Sequence, residues 1–292
     1  MNGFDFSALA VIGLLAGLVG GMLGVGGSIV MIPAMTEVLG PDQHLYQAAA
    51  MIVNFFVVTP AVLQHRRAGA INAPTVFRLI PPAIVGVIAG VGLSELPLFK
   101  GDGEPYLRGL FGLFLLSLAV TDLYRLTRKP NSSTRMMTED QPTTASPANL
   151  HWRTASMIAV PTGLIAGLLG VGGGLAAVPL QRKLLGFSIR TAIANSAAII
   201  IATSLAGAMM KNYALVTSHG RGWQSFILAG VLIPAAVIGS MNGSKLTHRI
   251  PVRTVKAAFF VLLLIAALRI TYQAGRSILS PETTAVSTHS EA

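Results

Sequence analysis

Two short stretches of this chain have the residue types and spacing to bind a ligand through backbone. They are GMLGVGGSIVMIP, residues 21–33, and GLLGVGGGLAAVP, residues 167–179. Glycine in a helix interior costs about 1 kcal/mol against alanine, so adjacent glycines break a helix rather than extend it. They also let the backbone take φ > 0 and come close to a ligand. A helix restarting near Ser28 or Leu175 would present unpaired N–H groups and a partial positive charge, which suits a small anion. The candidate substrate-binding residues are therefore Gly24, Gly26, Gly27 and Ser28 in the first string, with Gly170, Gly172, Gly173 and Gly174 in the second. Pro33 and Pro179 are structural candidates, each removing one N–H and freeing the carbonyl four residues earlier. Asn54, Asn195 and Ser196 are polar groups inside apolar segments. They suit either donation to an oxyanion or interhelical hydrogen bonding. His65, Arg66, Arg67, Lys211 and Asn212 close apolar segments and read first as interfacial anchors.

Other chemistries have no foothold. The chain lacks cysteine, which removes disulfides, thiolate ligands and cysteine nucleophiles. It has no GxxxxGK[ST], HExxH or GxSxG pattern, and its six histidines never pair at metal-ligand spacing. The expectation is no catalytic residue, no metal, no cofactor and no enzyme. Of the acids, only Glu37, Glu95 and Asp122 approach apolar segments, all near segment ends, which gives little support to a proton relay through a buried carboxylate. A coupling ion, proton or sodium, stays open.

The elements that must carry the strings follow from composition. Of 292 residues, 52% are hydrophobic and 11% charged, against about 25% charged in a soluble domain. Apolar runs of membrane-spanning length recur at about 6–39, 46–64, 74–97, 105–126, 154–185, 190–210, 223–245 and 253–274. The fold class is all-α and polytopic. The net charge of +10 is read as Lys and Arg held on cytoplasmic loops rather than as a nucleic-acid surface. The polar stretch 127–151 is expected to be a disordered cytoplasmic linker between a first repeat, 1–126, and a second, 152–276, followed by a flexible tail, 277–292.

The halves are repeats. A shift of 146 positions lays Gly17–Pro33 on Gly163–Pro179 with nine of 17 residues identical. The run 6–39 would make about 51 Å of helix against a hydrocarbon core of about 30 Å. If each glycine string turns a hairpin back to its own side, each half crosses three times and the second half is inverted. That topology puts 15 of the 21 Lys and Arg on one side, whereas single crossings divide them 12 to 9. The positive-inside rule favours inverted repeats with both termini outside. Gly13, Gly17, Gly21, Gly86, Gly90, Gly163, Gly167, Gly239 and Gly243 have the spacing of helix-packing glycines.

The duplicated GxxGxGGxxxxxP string, Gly21 through Pro33 and Gly167 through Pro179, resembles the TauE/SafE family of bacterial sulfite and organosulfonate permeases. The resemblance covers nearly the whole chain. It implies a multi-pass protein of the bacterial inner membrane that moves small anions bearing sulfur or carboxylate groups, in either direction. It also implies a small-polar patch in the segment after each string. Here that patch reads Asn195 and Ser196 in the second half and Asn54, displaced by about one residue, in the first. The expected partners are a small anionic substrate and the lipid bilayer, with no nucleic acid and with a homodimer left open. The alternative is a non-transporting membrane scaffold or assembly protein, which would need no break in its backbone at mid-depth.

Overall fold

The computed structural model describes residues 3–23, 25–127, 150–246 and 252–279. Most of the expected linker (128–149 of 127–151), most of the tail (280–292) and Gly24 lie outside the described residues. The described residues form ten α-helices, and five of these are long and apolar enough to cross a membrane. This is an all-α, polytopic membrane protein.

Each opening apolar run is broken at its glycine string. The first gives α1 (Gly3–Leu23) and α2 (Ser28–Leu39). The run 154–185 gives α6 (Trp152–Leu169) and α7 (Gly174–Leu185). The other helices of the first half are α3 (Gln43–Arg67), α4 (Ala73–Ser94) and α5 (Glu104–Thr127). Their counterparts are α8 (Ile189–His219), α9 (Gly222–Leu246) and α10 (Val252–Leu279). Local signals set the boundaries. Asp42, Asn72 and Ser188 each accept from the third residue of the helix they open. Gly170, Gly186 and Gly220 close helices in the left-handed region.

The halves are woven together. α1 packs on α9, and α6 packs on α4. The small glycines make both contacts possible. A Cβ at Gly17 would strike the carbonyl of Ala236, and one at Gly21 that of Ser240; in return Gly239 faces Leu14 and Gly243 faces Leu18. On the other side Gly163 and Gly167 face the carbonyls of Ala83 and Val87, while Gly86 and Gly90 face those of Val160 and Leu164. Numbers rise together in both pairs, so each pair runs parallel, backbone against backbone.

The central helices behave differently. Lys211 meets Gln47, Gly207 meets Met51 and Asn195 meets the backbone of Asn72. Numbers rise on one side as they fall on the other, so α3 and α8 are antiparallel. Gly112 against Thr271 and Gly109 against Ala274 make α5 and α10 antiparallel as well. The α3–α8 seam runs through the centre of the molecule, and both glycine strings are pressed against it.

Candidate substrate site at the meeting of the two glycine strings

In the first string Gly26 turns with φ +85° and Gly27 returns to φ −94° as α2 begins. The N–H groups of Gly27 and Ser28 both donate to Oδ1 of Asn54, at 2.8 and 3.2 Å. Asn54 Nδ2 donates to Ser28 Oγ at 3.0 Å. Two N–H donors facing one end of the carboxamide fix which end is oxygen. Asn54 and Ser28 are fully buried, near the midpoint of α3. The carboxamide oxygen thus occupies the place at the start of α2 where an anion was expected. A Cβ on Gly26 would lie 2.8 Å from that oxygen, so the seal is also tight.

The second string is bent harder. Gly170, Gly172 and Gly173 have φ of +73°, +74° and +82°. Gly173 precedes α7 without a side-chain cap. The residue opposite is Ile200, the counterpart of Asn54 under the same shift of 146, and its Cδ1 would lie 2.5 Å from a Cβ on Gly174. Isoleucine accepts no hydrogen bond. Among the described residues no side chain accepts from the N–H groups of Gly173, Gly174 or Leu175. Thr203 Oγ1 lies 3.0 Å from the carbonyl of Gly172, and its one hydrogen is shared among that carbonyl and those of Ile199 and Ile200 on its own helix, at 3.1 and 3.2 Å.

Ser204, near the midpoint of α8, is fully buried and its Oγ has no hydrogen-bond partner. A Cβ at Gly172 would lie 3.3 Å from this hydroxyl and 3.1 Å from Nδ2 of Asn54. One Nδ2 hydrogen goes to Ser28, which leaves the other facing the second string. The strings also touch each other, because a Cβ on Gly174 would come within 3.2 Å of Val25 Cα. The uncapped start of α7, an unused hydroxyl and the Asn54 amide nitrogen therefore lie close to the second string half-way along the central helices. An unpartnered polar group buried there costs about 1–3 kcal/mol, and a ligand oxygen would recover that cost.

A family model described as Sulfite exporter TauE/SafE matches residues 9–270. The chain belongs to the TauE/SafE family. This is a family of membrane transporters and not of enzymes. Over 91% of its length the chain is 30% identical to the "Probable membrane transporter protein MamO" of Paramagnetospirillum magneticum, and it spans 44% of that relative. It is 22% identical to the "Probable membrane transporter protein YunE" of Bacillus subtilis, over 92% of this chain and 98% of the relative. A "Probable membrane transporter protein" of Haemophilus influenzae is 26% identical over 91% of this chain and 98% of its own. No solved structure matches it.

In this TauE/SafE chain the structure gathers Gly26, Gly27, Ser28, Asn54, Gly172, Gly173 and Gly174 at one place. Gly170 abuts Gln47, nearer the start of α3. Pro33 and Pro179 lie inside α2 and α7, where they leave the carbonyls of Ile29 and Leu175 without a helical donor. Asn195 and Ser196 lie elsewhere. Asn195 Oδ1 accepts from the N–H of Asn72 at 2.8 Å, in the turn between α3 and α4, and Ser196 Oγ accepts from Gln181 at 3.1 Å. They stand about 12–14 Å along α8 from Ser204. Thr203, Ser204 and Lys211 are the polar residues that sequence reasoning missed or misplaced. The 146-residue shift lays Thr203 and Ser204 on Val57 and Val58, so the repeat itself gave no signal for either.

The end of the molecule around the start of α3 carries paired charges. Arg221 bonds Asp42, Arg108 bonds Glu104, and Glu95 pairs with His44 and Lys100. Burial alone would raise the Glu95 pKa. Hydrogen bonds from His44 and Lys100, with the charges of His44 and Lys211, win and hold it down at about 2.

Proposed function

We propose that this chain is a secondary transporter of small anions, sulfite or other sulfur oxyanions and organosulfonates, working by alternating access in the inner membrane of a bacterial cell. The observation that carries the reading is the uncapped start of α7 beside the unpartnered Ser204 hydroxyl, buried half-way along α3 and α8. The bound anion's oxygens accept from the first amides of α7, from Ser204 Oγ and from the free Asn54 Nδ2 hydrogen. The amides donate only and the hydroxyl can donate, which suits an oxyanion.

The two halves are read as inverted repeats. The antiparallel α3 and α8, the antiparallel α5 and α10, and the 15-to-6 division of basic residues support this. Each half then contributes one re-entrant hairpin, α1–α2 or α6–α7, whose tip reaches the middle of the seam. Non-helical backbone at that depth is tolerated where it is enclosed by protein.

The test is counterflow in proteoliposomes holding the purified chain. Vesicles loaded with unlabelled sulfite should accumulate labelled sulfite, and an alkanesulfonate and acetate should be compared in the same way. Accumulation should fall in Ser204→Ala protein of normal fold. Folded wild-type protein that exchanges none of these anions would overturn the reading.

A further inference from the structure

A second polar cluster lies on the same α3–α8 seam, toward the start of α3. Lys211 is 1% exposed, although it sits in a helix apolar enough to span a membrane. Its Nζ donates to Gln47 Oε1 at 2.6 Å and to Ser94 Oγ at 2.7 Å. No carboxylate lies within 4 Å of it among the described residues. The nearby acid, Glu95, is engaged by His44 and Lys100. Glu95 acts on this ammonium only from beyond contact distance, and a charge inside a membrane protein is costly unless something pairs with it closely.

The neighbours add donors. Gln47 Nε2 is buried and unpartnered. Gln43, one turn earlier on the same face of α3, is fully buried with both side-chain polar atoms unpartnered. Lys211 itself has three hydrogens and two acceptors. Gln47 also sits against Gly170, where the second string begins, with 2.7 Å between its Cβ and a Cβ built on that glycine.

Spacing ties this cluster to the mid-seam site. Gln47 and Asn54 are seven residues apart on α3, and Lys211 and Ser204 are seven apart on α8, so each pair shares a face over about 10 Å. Between them Met51 packs directly on Gly207. We propose that Lys211, Gln47 and Gln43 form a second binding station for a small oxyanion, two helical turns from the mid-seam site and separated from it by Met51. The anion supplies a negative charge in contact with the lysine, and the two amides orient its oxygens. This rests on the anion-transport reading and gives the substrate a stop on its way to or from the glycine strings.

The test measures sulfite binding to the purified full chain by calorimetry, with thermal melting in the absence of added anion. Lys211→Met should raise the anion-free melting temperature, because an unpaired buried charge is replaced by an apolar chain of similar length. It should also remove one equivalent of bound sulfite or weaken it by about tenfold or more. Gln47→Leu, which keeps the lysine, should weaken sulfite similarly without that gain in melting temperature. A strut that merely ties α8 to α3 and α4 behaves otherwise: Lys211→Met then melts lower and binds sulfite like wild type, and the station is overturned. If Lys211→Met does not fold, wild-type sulfite binding by Gln47→Leu overturns it equally. Wild-type protein that binds neither sulfite, sulfate nor acetate would instead sink the anion-transport reading on which the station rests.

Discussion

The two glycine strings are near twins in sequence and opposites in chemistry. The first is closed by its own half, since the Asn54 carboxamide accepts both leading N–H groups of α2 and then bonds the Ser28 hydroxyl. The second meets Ile200 at the equivalent place, and the start of α7 keeps its donors. The backbone follows suit. The first string has one described glycine at positive φ, Gly26, where the second has three. A duplicated motif therefore fixes a shape, a helix start half-way along the central helices, while the facing residue of the next helix decides whether that start is capped by a side chain.

Four substitutions probe this comparison, from the largest expected effect to the smallest. Asn54→Leu removes the seal and leaves two buried N–H groups unpaired. The protein should lose roughly 2–5 kcal/mol of stability, read as a lower melting temperature or denaturant midpoint. If Asn54→Leu is as stable as wild type, the first string is not sealed as described. Next, Gly173→Ala forces a Cβ at φ +82°, within 2.9 Å of the Thr162 carbonyl, and should cost about 1–2 kcal/mol from the backbone alone. Gly27→Ala stands at φ −94° with nothing nearer than 3.1 Å and should cost less. Equal losses at the two positions would mean that the strings are equivalent after all. Smallest is Ser204→Ala. It deletes a hydroxyl with no partner, so stability should hold to within about 0.5 kcal/mol while sulfite affinity falls. A marked loss of stability with unchanged affinity would make Ser204 a packing residue.

Much of the architecture was legible because it rests on local rules. Gly24 to Gly27 and Gly170 to Gly174 break helices by composition alone. Caps such as Asn72 and Ser188 mark starts that agree with the apolar runs to within a few residues. Glycines four apart read as helix-packing positions, because that spacing puts them on one face, and they lie at the close crossings of α1 on α9 and of α4 on α6; which helices pair was not legible. The site was less legible, since it depends on helix rotation. Asn195 and Ser196 look like partners of Asn54 by composition, yet they point to the turn after α3 and to Gln181. Lys211 sits near the end of its apolar run, where a lysine ordinarily reaches toward headgroups. Only the phase of α8 against α3 turns it inward to Gln47 and Ser94. The Gly27 and Ser28 amides were expected to face substrate, and that expectation could not foresee a side chain from α3 arriving first.

The central claim is that the start of α7 binds the anion because no carboxamide blocks it. Ile200→Asn places at the second string the residue that seals the first. Counterflow of labelled sulfite, measured on Ile200→Asn protein whose melting temperature stays close to wild type, tests that claim most directly. The account predicts a folded protein with sulfite exchange reduced to the level of empty vesicles. Exchange at the wild-type rate, with the new asparagine in place, would contradict it and move the anion's binding site away from the glycine strings.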